Sequence, residues 1–177
     1  AEMSDALYND QRDSFIGQKN AKVTIVEFFD YNCGFCKKSA GWVEKVIETY
    51  PKDVKVIFKE LPILDSRTKT SKIAAKAAIA ANKQGKFAEI HFALMNERSI
   101  SEDRIYKIAE EEGLNIIKLK QDMNDPKVEL YLADTLALAT RIPSLSGTPF
   151  FIIGDDLIPG ADEERLDAAL QSVLDKI

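Results

Sequence analysis

The reactive chemistry of this chain is concentrated in two cysteines that lie three positions apart. They occur as Cys33-Gly34-Phe35-Cys36, and the 177 residues contain no other cysteine. A disulfide at this spacing closes a loop too short to restrict the unfolded chain much, so it adds little stability. The pair is therefore better suited to reversible thiol–disulfide exchange than to a structural role.

A metal site is the alternative use of two close cysteines. Zinc binds about four protein ligands, and this chain offers one histidine, His91, beside the two thiols. We therefore expect no metal and no cofactor. His91 has apolar neighbours in the sequence and is interpreted as a packing residue, and Trp42 is interpreted as a core residue.

A strand and a helix position the two thiols. The run Val23–Phe29 is β-branched and aromatic, which predicts a buried strand, and residues 34–50 are predicted to form a helix that stops at Pro51. Cys33 then lies at the helix N-terminus, where free N–H groups and the helix dipole favour a thiolate. Cys36 lies one turn further in and is the shielded partner.

Charged side chains near the pair are candidates for tuning its thiols. Lys37 and Lys38 follow Cys36, where positive charge favours a thiolate, although solvated surface lysines are the simpler interpretation. Glu27 belongs to a strand that reads as buried on both faces, so it needs a partner. Lys59 on the neighbouring strand is the nearest candidate, and the two residues are predicted to form an ion pair.

The hydrophobic pattern divides the chain into three blocks. Residues 54–59 read as a second strand, parallel to the first, and residues from about 66 to 142 are helical throughout. After Gly147-Thr148-Pro149 the strand pattern returns as two short strands, predicted to be antiparallel, followed by a helix with one apolar face. An α/β fold with a helical insertion is therefore predicted.

The same blocks predict the domain organisation. Residues 15–62 and 144–177 are expected to form one α/β domain, and residues 63–143 an inserted helical domain. Residues 1–14 precede the first strand and carry apolar residues at helical spacing.

Composition and charge exclude two classes of partner. The net charge of −5 comes from 29 acidic and 24 basic residues, which are interspersed without a basic tract. This pattern argues against binding to nucleic acid or to an anionic membrane surface. No apolar run approaches the roughly 18 residues that a membrane span needs. We therefore expect protein partners.

Together these features resemble the disulfide-interchange proteins of the DsbA family. The resemblance covers nearly the whole chain and rests on the sequence from Glu27 to Cys36, on Gly147-Thr148-Pro149 before a strand, and on the helical insertion. It implies a thioredoxin-like fold with an inserted all-helical domain. It also implies cysteine-containing protein substrates, a membrane redox partner and a periplasmic location.

The resemblance implies roles for single residues. Cys33 is the nucleophile and Cys36 the resolving thiol. Pro149 follows a cis peptide bond that lies against the cysteines, and the peptide group of Thr148 pairs with substrate backbone. Glu27 handles protons for Cys36, with a purely structural ion pair as the alternative.

Three residues distinguish the branches of the family. Gly34 and Phe35 between the cysteines, and Thr148 before the proline, look more like the isomerase and ScsC-like branches than like strong oxidants, which typically carry Pro-His and Val there. Those branches use an oligomerisation arm, and residues 1–14 are interpreted as its stump. A disulfide isomerase that is a homo-oligomer in its full-length form is therefore favoured.

Two other functions stay open. One is a monomeric DsbA-like dithiol oxidase, and the other is a non-catalytic thioredoxin-fold chaperone or binding module. The start at Ala1, with no initiator Met and no signal-peptide core, fits an exported and processed protein and fits a trimmed polypeptide equally well.

Overall fold

The computed structural model describes residues 2–177. Five strands form one mixed sheet in the order β1-β3-β2-β4-β5. Their bounds are β1 Ser14–Ile16, β2 Val23–Phe29, β3 Val54–Glu60, β4 Phe150–Ile153 and β5 Asp156–Pro159. The strands β2 and β3 are parallel, and the other neighbouring pairs are antiparallel. The predicted parallel unit and the closing antiparallel pair are both confirmed.

Nine helices lie within the part of the chain that the structure describes. They are α1 Glu2–Tyr8, α2 Gly34–Thr49, α3 Asp65–Thr68, α4 Ser71–Lys83, α5 Phe87–Asn96, α6 Glu102–Glu111, α7 Ile116–Met123, α8 Pro126–Thr140 and α9 Glu163–Leu174. The helices α3 to α8 all occur between β3 and β4, which confirms the predicted helical insertion. The division into two domains at residues 62 and 144 stays a prediction.

Side-chain caps explain where several helices begin. Ser101, Asp125 and Asp162 each accept a hydrogen bond from a backbone N–H in the first turn of α6, α8 and α9. The sequence pattern does not predict β1, and it does not identify α3 and α7 as separate helices within the predicted helical block. These elements are short, and α7 buries only Leu119 and Met123, so its apolar periodicity is weak.

The sheet separates two hydrophobic clusters. On one face, Ile25 of β2 packs in a cluster with Val43 of α2 and with side chains of the helical insertion. On the other face, Phe28 of β2 packs in a cluster with Leu138 of α8 and Leu7 of α1. The helix α1 therefore lies against the sheet and α8. Ala1, the first residue of the predicted arm, lies outside the described residues.

Between residues 2 and 177, no helix combines the length and the apolar character that crossing a membrane requires.

Candidate active site

Cys33 lies at the N-terminus of α2, as predicted. It is the N-cap residue, and its Sγ accepts a hydrogen bond from the Cys36 N–H at 3.3 Å. Both cysteines are free thiols, and Cys33 retains 7% of its accessible surface whereas Cys36 retains none. An incoming disulfide therefore meets Cys33 first, and Cys36 is shielded behind it.

Hydrogen bonds favour the thiolate form of Cys33. A bond from the Cys36 thiol is the largest cause that lowers the pKa of Cys33 to about 6, and it outweighs burial of the sulfur. Thr148 and the backbone N–H groups of Cys36 and Phe35 lower this pKa further. Lys37, one candidate source of positive charge, instead directs its ammonium to the carbonyl of Leu94 on α5, to which it donates at 3.2 Å.

Cys36 has the opposite electrostatic environment. Burial is the largest cause that raises the pKa of Cys36, and the hydrogen bond to Cys33 and the charge of Glu27 act in the same direction. Cys36 is therefore a thiol at neutral pH. The two sulfurs differ in protonation although they are one helical turn apart.

Glu27 is buried without a hydrogen-bond partner. Its side chain carries 1% relative exposure, and both carboxyl oxygens lack a partner among the described residues. Burial is the largest cause that raises the pKa of Glu27 to about 8, and the charge of Cys33 adds to it. Glu27 therefore holds its proton at neutral pH.

The predicted ion pair between Glu27 and Lys59 is wrong. In the parallel register Glu27 lies opposite Phe58, and Lys59 lies opposite Phe28. Because successive side chains of a strand point to opposite faces, Lys59 projects away from the face that carries Glu27. The Lys59 ammonium instead forms an ion pair with Asp13 and donates to the Ala6 carbonyl at 2.7 Å.

The segment Thr148-Pro149, directly before β4, packs against the cysteine pair. The peptide bond between Thr148 and Pro149 is cis, as the resemblance implies. The Cys33 thiol donates to the Thr148 carbonyl at 3.4 Å, across 115 residues of sequence. The cysteine pair and Thr148-Pro149 are therefore adjacent in space.

The two residues between the cysteines differ in what they present to solvent. Phe35 is 66% exposed, so a large apolar side chain faces solvent beside the cysteine pair. Gly34 has open space around the position of a side chain, so packing does not require glycine there. Between residues 2 and 177, the structure contains no cluster of three metal-ligating side chains.

Residues 24–171 match the sequence profile of the DSBA-like thioredoxin domain. The chain belongs to the DsbA-like thioredoxin family. Its sheet and inserted helices form a thioredoxin-like fold, and its cysteine pair lies at the N-terminus of α2, shortly after β2.

Known proteins of similar structure and sequence support this assignment. A periplasmic thioredoxin-like protein from Salmonella enterica serovar Typhimurium is 35% identical, with a TM-score of 0.86, and the match covers 98% of this chain and 96% of that one. The catalytic domain of Proteus mirabilis ScsC is 32% identical, with a TM-score of 0.84 and coverage of 98% and 95%. The Na(+)/H(+) antiporter NhaA 3 of Salinispora tropica is 29% identical over 163 residues, which are 91% of this chain and 24% of the antiporter. The DsbA-like chain therefore spans about a quarter of the length of the curated relatives it matches.

Asp30 anchors the turn that carries the cysteines, and the sequence pattern does not single it out. Its carboxylate accepts from the Asn32 N–H, from the Ser71 hydroxyl and from the Leu64 N–H, each at 2.8 Å. The first of these bonds forms an Asx turn, and the other two tie the turn to the helical insertion. Its position between a buried strand and the cysteine pair is the only feature of the sequence that could have identified this aspartate as part of the site.

A second buried cluster holds the same turn in this DsbA-like chain. The Tyr31 hydroxyl lies 2.7 Å from Nδ1 of His91 and 3.4 Å from a carboxyl oxygen of Glu60. Burial lowers the pKa of His91 to about 3 and raises the pKa of Glu60. His91 is therefore neutral and packs among aromatic rings, which confirms its interpretation as a packing residue.

The Cys33 thiol is expected to react with iodoacetamide along a pH profile with a midpoint near 6, because hydrogen bonds stabilise its thiolate. Thr148→Val should raise this midpoint, since it removes a hydroxyl that lowers the pKa of Cys33. Lys45→Gln, at an exposed position towards the C-terminus of α2, is the control and should leave it unchanged. A midpoint near that of a free thiol, about 8.5, would contradict this expectation.

Proposed function

We propose that this chain exchanges disulfides with protein substrates through Cys33 and Cys36. The observation that carries the proposal is the pair itself. A sulfur whose pKa is lowered to about 6 lies at a helix N-terminus, in contact with a fully buried second thiol. DsbA-like proteins act on cysteine-containing substrates, and neither step below needs a cofactor.

The reaction conserves electrons and protons in two steps. The Cys33 thiolate attacks one sulfur of a substrate disulfide, forms a mixed disulfide and releases the other substrate sulfur as a thiolate. Cys36 then loses its proton and attacks the Cys33 sulfur, which releases the second substrate thiolate. The substrate gains two electrons and the cysteine pair becomes a disulfide. The reverse sequence donates a disulfide to a substrate.

Glu27 is proposed as the group that moves the proton of Cys36. It is buried on the same side of the sheet, its charge raises the pKa of Cys36, and the pKa of Glu27 itself lies near 8. A carboxyl group with a pKa near the working pH exchanges protons efficiently in both directions. Lys59 forms an ion pair with Asp13 and takes no part in this proton transfer.

Thr148 and Pro149 are proposed to bind the substrate backbone beside the reacting sulfur. The Thr148 carbonyl accepts from the Cys33 thiol, so a peptide joined to Cys33 necessarily lies next to this segment. Gly34 and Phe35 are proposed to contact the substrate from the other side, because both are exposed. The exposed ring of Phe35 favours apolar substrate side chains.

Within this activity we favour disulfide isomerisation over plain oxidation. The residues Gly34, Phe35 and Thr148 support this choice, and the catalytic domain of Proteus mirabilis ScsC is 32% identical. An upstream arm is proposed to assemble several copies in a longer polypeptide. A periplasmic location and a membrane redox partner complete the proposal, and the periplasmic Salmonella protein supports the location.

Activity assays on two lengths of polypeptide test this proposal. This chain is expected to reduce insulin and to be a monomer or weak oligomer with little activity on scrambled ribonuclease. A polypeptide with an upstream arm should form a dimer or trimer by light scattering and reactivate scrambled ribonuclease efficiently. A longer polypeptide that is monomeric and inactive on ribonuclease would favour the oxidase. Absence of insulin reduction would favour the non-catalytic binding module.

A further inference from the structure

An apolar groove lies between α8 and the loop that follows β3. It consists of two adjoining cavities of about 330 and 160 Å³. Both are lined by Leu61 and Ile63 from the loop and by Leu136 from α8. We call it the Leu61 groove. Charged side chains line only the larger cavity, namely Asp65, Lys72 and Glu129.

The end of the Leu61 groove that is formed by the smaller cavity lies next to the redox site. Gly147 lines this end, and the next residue is Thr148, whose carbonyl accepts from the Cys33 thiol. A substrate peptide that is joined to Cys33 and passes Gly147 therefore enters the groove directly.

The backbone beside this entrance is available to an extended peptide. The N–H groups of residues 146–148 donate to no other group within residues 2–177, and this segment belongs to neither a helix nor a strand. Free backbone groups in an accessible segment pair readily with a second extended chain. A peptide strand satisfies these groups, whereas a lipid tail or a small apolar molecule does not.

The walls of the groove suit the side chains of such a peptide. Ile63 is 42% exposed and Leu136 is 50% exposed, so two large apolar side chains keep much of their surface in water. Alternate side chains of an extended peptide point to one face, and those facing the groove would cover this surface.

We propose that the Leu61 groove binds an extended segment of the protein substrate next to its reacting cysteine and prefers aliphatic side chains there. This inference rests on the proposed disulfide exchange and adds a determinant of substrate choice. No residue of α2, Phe35 included, lines the groove.

Two model peptides test the groove. Each contains one cysteine in a mixed disulfide with glutathione, and leucines or serines occupy the second and fourth positions on both sides of it. The reduced wild type is expected to reduce the leucine peptide about fivefold faster, as kcat/KM, than the serine peptide. Leu136→Ser and Ile63→Ser should each lower this ratio towards one.

Leu130→Ser is the matched control. Leu130 is also on α8 and is 62% exposed, but it lies six positions from Leu136, on a different side of the helix, and does not line the groove. Its variant should keep the fivefold ratio. Thermal melting of all variants shows whether each is folded, and two groove positions keep the test valid if one variant is not.

Four results would overturn the inference. The first is that the wild type reduces the two peptides at equal rates, and the second is that the leucine-to-serine rate ratio is unchanged in both groove variants. The third is that Leu130→Ser lowers this ratio as much as the groove variants do. The fourth is that the groove variants differ from the wild type in self-association, measured by light scattering. The last result would assign the groove to contact between copies of the chain. A wild type that reduces neither peptide nor glutathione disulfide would refute the proposed function itself, and the groove's role with it.

Discussion

Cys33→Ser is expected to slow insulin reduction at least about a thousandfold, because a serine hydroxyl does not ionise near neutral pH and cannot replace the thiolate. The wild-type sulfur has a pKa near 6 and is the more accessible of the two. Cys36→Ser keeps the attacking sulfur but removes the thiol that resolves the adduct, so it should accumulate mixed disulfides with protein substrates.

Non-reducing gels separate the roles of the two cysteines. Cys36→Ser is the matched variant for Cys33→Ser, since both remove one sulfur from the same turn of α2. Strong trapping by Cys36→Ser and weak trapping by Cys33→Ser are expected. Equal trapping would mean that the roles are shared or reversed. Insulin reduction by Cys33→Ser at the wild-type rate would show that the cysteines are not the site of reaction.

In the reduced protein, the stability of Glu27→Gln relative to wild type is expected to rise by about 4 kcal/mol between pH 4.5 and pH 8. The pKa of Glu27 is raised from 4.5 in the unfolded chain to about 8 in the folded one. The folded state therefore binds the proton more tightly between these values. Wild-type stability falls as pH rises through this window, since the buried carboxyl must ionise or keep a proton that the unfolded chain releases.

Urea denaturation at several pH values between 4.5 and 8 measures this difference. Glutamine resembles the protonated acid and does not titrate, and other groups, including Glu60 and His91, contribute equally to both proteins. The difference between variant and wild type therefore reports Glu27. Glu44→Gln, at an exposed position on α2, is the control and should follow the wild type. A constant difference between Glu27→Gln and wild type would show that Glu27 is ionised in the fold.

Local sequence was sufficient to predict the cysteine site and most of the elements around it. The spacing of Cys33 and Cys36, the strand before them and the helix after them are features of a few consecutive residues. The caps Ser101 and Asp125 were likewise predictable, because a cap acts on N–H groups two or three positions away. The strand β1 was not predicted, and α7 was not identified as a separate helix, because their patterns contain too few residues.

The partners of the buried charges depended on tertiary structure. Glu27 and Lys59 were predicted to form an ion pair because they lie on neighbouring strands. A difference of one residue in register places their side chains on opposite faces of the sheet. Asp13, which binds Lys59, comes from the segment before β1, 46 residues away. Glu27 is left without a partner for this reason, and its raised pKa follows from that isolation.

The sequence by itself determined which residues are reactive and which short segments carry them. Only the tertiary structure decided that Thr148 meets Cys33 and that Asp30 joins the cysteine turn to the helical insertion. It also decided that Leu61 and Leu136 line one groove. The physical reason is range: caps and periodicity act within a few residues, whereas these contacts depend on how distant segments pack and on strand register.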